Sequence, residues 1–291
     1  MTNRITVLTP VYNEEESIGY MLESLLEQSV KPYYVLIGDN ESSDNTVAVA
    51  ERVFKKSGFE NYRIIRVRRF PDLGKLNINL AYSALNKAMT RLGLSPDYVA
   101  LIEADVVLEK RYFEKLLGYF EKNPRLCVAG GALEPLGLPR DPFPLRVNVN
   151  LWGANRLYRA ECWGKLNEYV DIAYLPAWDT DHVVLALLLG YHVTQAPYAK
   201  SHTKRGINPF KGKPKGITDA LHRLPLWWSL YKALQYRDPE YLKYFIMTKL
   251  GKTIVAHRHA KELSLIGDVY RYAATRVLVS RLALAPQRLK I

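Results

Sequence analysis

Ala100-Leu101-Ile102-Glu103-Ala104-Asp105-Val106-Val107 is an apolar run that stops on two carboxylates one residue apart. Burying such a strand and ending it in acids is costly unless a cation meets them there. In an open α/β sheet the carboxyl end of a strand is also where ligands bind. Oxygens at this spacing suit a hard divalent cation, Mn2+ or Mg2+, which in turn holds a diphosphate. A pair of solvated loop acids is the plain alternative, and the surrounding sequence has to decide between them.

Outward from that strand, the first 200 residues alternate short β-rich runs with amphipathic helical patterns, as an α/β layer fold requires. Strands are expected over 5–9, 33–39, 62–67, 98–102, 126–130 and 191–195. Helices are expected over 15–28, 45–56, 76–92, 110–121 and 180–189. Ser42 and Ser43 read as N-caps of the second helix, with Asp44 suited to its positive end. Strands joined by single helices favour a mostly parallel sheet with right-handed crossovers.

At 291 residues and 48% hydrophobic, the chain can bury a full core. No run approaches the ~18 apolar residues that a membrane span needs. The start, Met1 to Arg4 running straight into Ile5, lacks the layout of a signal peptide. Cys127 and Cys162 read as isolated thiols without metal-ligand spacing, which favours a reduced, cytosolic protein.

The net charge of +12 is unevenly placed. From Lys200 onward 19 Lys and Arg face 5 Asp and Glu, a net +14, while the preceding residues carry 22 against 24, a net −2. Such a segment seeks an anionic partner. Residues 203–216 hold three glycines, two prolines and five basic residues, and read as a mobile loop. The division is therefore a catalytic domain over 1–203, a basic loop over 204–216 and a helical tail over 217–291.

Three further acid-bearing patterns accompany Glu103 and Asp105. The first strand runs into Pro10-Val11-Tyr12-Asn13-Glu14-Glu15, the second ends Asp39-Asn40-Glu41-Ser42-Ser43-Asp44-Asn45-Thr46, and Trp178-Asp179-Thr180-Asp181-His182 opens an apolar helix. In this order the four patterns resemble glycosyltransferase family 2, whose hallmarks are P-x-Y-N-E, D-D-G-S-x-D-x-T, D-x-D and E-D. The resemblance covers residues 4 to about 202. It implies a GT-A type, Rossmann-like α/β fold: a mostly parallel sheet flanked by helices, here with a C-terminal helical extension.

The resemblance also implies roles. Pro10, Tyr12 and Glu14 would line the nucleotide pocket, with Tyr12 against the base and Glu14 near the ribose. Asp39 would accept a hydrogen bond from the base. Asn40 and Glu41 depart from the family's second acid and glycine. Lys75, in Gly74-Lys75, would meet a phosphate at a helix start; Leu76 after it rules out a P-loop. Asp105 would be the direct metal ligand, Glu103 would reach the ion through water or touch the ribose, and Ala104 between them would lie against the nucleotide. His202 stands where the family completes its metal shell. Asn155, in the family's G-x-N-x-x-x-R region, and Trp178 would face the donor or acceptor sugar. Arg205 would close over the diphosphate. Asp179, which aligns with the catalytic base although Trp178 replaces the glutamate, would take the acceptor's proton during in-line attack, and a single base implies inversion.

Leu224-Pro225-Leu226-Trp227-Trp228-Ser229-Leu230-Tyr231 opens the tail, and Tyr236, Tyr241, Tyr244, Phe245, Tyr270 and Tyr272 follow among basic residues. Rings with polar tips beside cations fit a membrane headgroup layer; a covered catalytic domain or a homodimer contact is the other use of such a surface. The combined expectation is a peripheral enzyme on the inner face of the cell membrane. It would move a hexose, leaning towards mannose from GDP-mannose, to a hydroxyl of a lipid-linked acceptor. A polyprenyl-phosphate sugar synthase is the nearest competitor, but Asp105-Val106-Val107-Leu108 lacks that group's D-A-D-L-Q-H-P-P. A nucleic-acid-binding protein using the basic tail is the alternative of another class; it explains the charge but not the acids at the strand ends, and no recognition motif accompanies the tail, so no nucleic-acid partner is expected, nor does a dehydrogenase's G-x-G-x-x-G follow the first strand.

Overall fold

The computed structural model describes residues 3–70, 76–136, 151–170, 172–173, 178–203, 220, 226–237 and 239–250. Lys75 and Arg205 lie outside them, as do the loop over 204–216 and everything after 250.

Eight strands form one sheet: β1 Ile5–Val11, β2 Tyr34–Asp39, β3 Tyr62–Arg66, β4 Tyr98–Ile102, β5 Val106–Leu108, β6 Leu126–Glu134, β7 Asn155–Arg159 and β8 His192–Thr203. The helices are α1 Ile18–Leu26, α2 Thr46–Ser57, α3 Leu76–Arg91, α4 Tyr112–Lys122, α5 Ala160–Tyr169, α6 Trp178–Leu188, α7 Leu226–Tyr236 and α8 Pro239–Lys249. The strand order is β3-β2-β1-β4-β7-β6-β8-β5. Strands β3, β2, β1 and β4 run parallel, β7 is antiparallel to both β4 and β6, and β8 pairs parallel with β6 and antiparallel with β5.

Every residue of β1 and β4 is buried, as parallel strands covered on both faces require. Their side chains alternate between two cores. Ile5, Val7, Val35, Ile37, Ala100 and Ile102 pack with α1, α2 and α4. Leu8, Leu36, Val99 and Leu101 pack with α3, α5 and α6. The result is a three-layer α/β/α fold with all the parallel strands ending on one edge.

The structure corrects two expectations. Helix α2 starts later than the serines: Asn45 precedes it, and Asp44 Oδ1 accepts from the Thr46 amide at 3.0 Å. Ser42 and Ser43 instead bond Asn13, tying the loop after β1 to the loop after β2. Cys127 and Cys162 are not isolated thiols but a disulfide, Cα–Cα 5.4 Å, joining β6 to α5 in the α3/α5/α6 core. Part of the tail is also core: Phe245 and Ala220 join that same cluster, and Tyr241 is fully buried.

Candidate active site

The acids found at strand ends in the sequence meet along the carboxyl edge of the sheet. Strand β1 delivers Pro10 and Val11 in register with Gly38 and Asp39 of β2, so the two loops that follow lie side by side. Asp39 is almost fully buried, and its Oδ1 accepts from the Ser42 amide at 3.1 Å. Glu14 closes the first turn before α1: its amide donates to Thr46 Oγ1 and its Oε2 accepts from Ser17 Oγ at 2.6 Å. Glu41, in place of the family's glycine, sits at φ 58, the left-handed region glycine enters most easily. Its carboxylate bonds the Arg69 amide at 3.1 Å and approaches Arg66 at 3.8 Å.

Tyr12 is exposed, as a base-stacking ring should be, but its face is covered. The Arg69 guanidinium lies 3.7 Å from the ring centroid, a cation–π stack that leaves no room for a base between them. Arg69 was not singled out from sequence; nothing in Arg68-Arg69-Phe70 marks which arginine folds back.

After β4 the chain turns sharply, the Val106 amide donating to the Glu103 carbonyl at 3.1 Å. Glu103 and Asp105 are both half-buried, with Ala104 buried between them. Asp105 Oδ2 accepts from Thr203 Oγ1 at 3.1 Å. His202 pairs across from Val107 on β5 and Glu134 on β6. Along 199–202 burial alternates, and His202 is on the exposed side, opposite the face on which Ser201 and Thr203 point inward. Thr203 is thus a residue that touches Asp105. Among the described residues no group of three His, Cys, Asp or Glu side chains is placed to enclose a metal.

Asp179 stands in the first turn of α6, 29% of its side chain exposed. It is brought to the Glu103 loop by residues 153–154. The Ala154 carbonyl accepts from the Glu103 amide at 3.0 Å. At Gly153 an added Cβ would stand 2.7 Å from Asp179 Oδ2. The buried Tyr82 phenol registers the same convergence: burial pushes it well above its ordinary range, and the Glu103 and Asp179 carboxylates push it further.

Two sequence-named residues turn away from any cleft. Asn155 is fully buried; its amide donates to the Gly131 carbonyl at 3.3 Å and to Ser201 Oγ at 2.8 Å, so it staples β7 to β6 and β8. Trp178 is buried too, its indole N–H on Asn79 Oδ1 at 3.2 Å and its ring edge-on to Tyr82, Trp163 and His182. Both residues sit beneath the site and support it. A separate cavity of about 330 Å³, lined by Asn86, Val99, Trp163 and Asn167, lies between α3 and α5, away from these carboxyl ends.

Comparison with known proteins agrees with this geometry. Residues 6–141 match the model of Glycosyl transferase family 2. A putative glycosyltransferase EpsE of Bacillus subtilis is 27% identical over 44% of this chain and 42% of its own length. A poly-beta-1,6-N-acetyl-D-glucosamine synthase of Staphylococcus aureus is 27% identical over 67% of this chain and 48% of its own. The chain thus spans less than half the length of these curated relatives. Among solved structures, S. aureus TarS with UDP superposes at TM-score 0.53, 16% identity, over 69% of this chain and 60% of that one. The mannosyltransferase PcManGT from Pyrobaculum calidifontis, with GDP-Man and Mn2+, superposes at TM-score 0.53, 18% identity, over 97% of this chain and 80% of that one. Residues 6–141, with the carboxylates of β2 and β4 on one sheet edge, carry a glycosyltransferase family 2 domain, and the solved glycosyltransferases share its GT-A fold.

Proposed function

We propose that this chain is an inverting, metal-dependent glycosyltransferase that moves a hexose from a nucleotide sugar to a hydroxyl on a lipid-linked or membrane-surface acceptor. The observation that carries the reading is the meeting of Glu103 and Asp179 across Gly153 and Ala154. It brings the residues expected to hold the donor next to the residue expected to activate the acceptor.

The side chains at the β4 end fit a divalent cation by their chemistry. Asp105, Thr203 and Glu103 offer only oxygen donors, the preference of Mg2+ and Mn2+, and few enough to leave most of a six-fold shell to phosphate oxygens and water. His202, on the neighbouring strand position, would join only by turning from its exposed face. A bound cation would supply charge neutralisation for the departing diphosphate. The protein's own part is binding and proton handling. Tyr12, once Arg69 moves aside, offers its face to the base, and Asp39 and Glu14 border the same loops. Asp179 takes the proton of the acceptor hydroxyl as that oxygen attacks the anomeric carbon from the side opposite the nucleoside diphosphate. Lys75 and Arg205 remain proposed phosphate contacts.

For the donor, GDP-mannose is favoured because PcManGT, solved with GDP-Man and Mn2+, superposes on 97% of this chain. UDP-GlcNAc is the direct competitor, since TarS was solved with it. For the acceptor, the tail supports a membrane surface. Leu226, Trp227, Leu230 and Leu234 lie exposed on one side of α7, with Ile246 on α8 and Leu250 just after it also exposed, within a segment that carries the chain's excess positive charge. Among the described residues no helix is long and apolar enough to cross a membrane, so attachment would be peripheral. The proposed side is the cytoplasmic face.

Incubation of the protein and Mn2+ with a panel of nucleotide sugars tests the reading. Metal-dependent release of nucleoside diphosphate, greatest with GDP-mannose and faster with a polyprenyl-linked sugar present, is expected. Turnover with bare polyprenyl phosphate instead would mean a phosphate acceptor. Stabilisation by nucleic acid with none by any nucleotide or metal would sink the proposal.

A further inference from the structure

Beneath Asp179 lies an arginine that the family pattern does not specify. Arg156 is the first of the three open positions in G-x-N-x-x-x-R, and its side chain is 1% exposed. Burying a guanidinium is costly unless its donors are satisfied and its charge is met. Here both conditions hold. Nε donates to the Trp152 carbonyl at 2.8 Å and Nη2 to the Leu151 carbonyl at 2.6 Å. Nη1 donates to the Tyr158 hydroxyl at 3.3 Å and to the Asp179 carbonyl. The charge is met by Asp179 Oδ2, 3.2 Å from Nη2. One side chain thus ties the approach to β7 to the first turn of α6, and grips Asp179 by both backbone and carboxylate.

Gly153 completes the grip from the other side. Any side chain there would intrude on Oδ2, whereas glycine lets the carboxylate settle against the backbone. With Oδ2 held from below, the exposed part of Asp179 faces outward from the clamp. Trp178, where the family has its glutamate, is turned into the core, so the clamped acid is Asp179.

We infer that Arg156 is a positioning residue that fixes the Asp179 carboxylate in the orientation from which it receives the acceptor's proton, with Gly153 providing the clearance. The inference rests on the reading of Asp179 as base. In that step the acceptor O–H proton passes to Asp179 and the oxygen forms its bond to the anomeric carbon. The bond to phosphate oxygen breaks, its electron pair leaving on the nucleoside diphosphate. The titratable groups around the pair are Tyr82 from α3, Glu103 after β4, Tyr158 on β7 and His182 on α6. The phenols of Tyr82 and Tyr158 are raised by burial, and His182 is held neutral by burial and by the Arg156 charge. Glu103, Asp179 and Arg156 therefore set the local field at neutral pH.

The test is the Mn2+-dependent turnover of GDP-mannose and UDP-GlcNAc by wild type, Arg156→Met, Arg156→Lys, Gly153→Ala and Asp179→Asn. Arg156→Met should keep KM for the nucleotide sugar within about threefold and lose kcat by about 30-fold or more. Arg156→Lys keeps the charge but not the fork, so kcat should fall less, by about tenfold. Should Arg156→Met not fold, Arg156→Lys and Gly153→Ala decide: a lower kcat at preserved KM supports the clamp, and wild-type kcat in both overturns it. Wild-type kcat in folded Arg156→Met would overturn it as well. An inactive Asp179→Asn beside normal Arg156 variants defeats this inference alone, whereas an active Asp179→Asn defeats the base assignment with it.

Discussion

Thr203 reaches Asp105 Oδ2 at 3.1 Å, and removing that carboxylate takes away the best-placed oxygen donor for a cation. Asp105→Ala should abolish Mn2+-dependent nucleotide binding in calorimetry, while Thr203→Val should weaken it far less. Asp179→Asn keeps the shape of the side chain and removes its basicity. It should leave nucleotide binding intact and lower transfer by roughly 100-fold or more, the usual share of a general base. His182 makes a prediction of another kind. It is fully buried, edge-on to Tyr158, Trp163 and Trp178, with neither ring nitrogen hydrogen-bonded. Burial, followed by the Arg156 charge, depresses its pKa from 6.5 to about 3. The unfolded chain therefore binds a proton that the folded chain refuses. This contribution to stability is whole above about pH 6.5 and is lost as pH falls towards 3, at up to ~1.4 kcal/mol per pH unit. His182→Leu should flatten that part of the stability–pH curve measured by urea unfolding; an unchanged slope would show that His182 finds a partner or water.

At the level of elements, legibility followed periodicity. The buried strands β1, β2 and β4 and the amphipathic α2, α3 and α4 were readable because their apolar spacing is strong. Strands β5 and β7 and helix α5 were not. β5 has three residues, too short for alternation to show, and β7 reads Asn-Arg-Leu-Tyr-Arg with a buried arginine, which looks polar until Arg156 finds Asp179. Antiparallel β7 between β4 and β6 also makes the sheet more mixed than a simple βα alternation suggests. The disulfide was invisible for a related reason, since its two cysteines are 35 residues apart and only the packing of α5 on β6 joins them. Closing a loop of that length is worth roughly 4 kcal/mol in the chain-entropy account. The Cys127→Ser/Cys162→Ser pair should lower Tm by roughly 10 °C. Differential scanning calorimetry checks this, and no change in Tm would mean that the surrounding core carries the stability unaided.

For the whole molecule, the carboxylates at strand ends were legible because acids after apolar runs are conspicuous, and the order of four motifs placed them on one edge. What surrounds them was not legible: the Arg69 cap on Tyr12, the Thr203 contact and the Arg156 clamp all depend on residues distant in sequence. The tail divides in the same way. Tyr241 and Phe245 are buried, so α8 is part of the fold, while Leu226, Leu230 and Leu234 of α7 are exposed. Leu230→Glu with Leu234→Glu should preserve Tm and reduce sedimentation with anionic vesicles, and added salt should do likewise because each basic residue near an anionic surface contributes about 1 kcal/mol. Full binding by that variant would assign the exposed face to another partner. Whether the Glu103–Asp105 turn and Asp179 serve one donor site is decided by calorimetric titration of GDP and UDP into wild type, Asp105→Ala and Asp179→Asn, with and without Mn2+. Binding should require Mn2+ in wild type, survive in Asp179→Asn and vanish in Asp105→Ala; nucleotide binding indifferent to Mn2+ and to Asp105 would rule a shared site out.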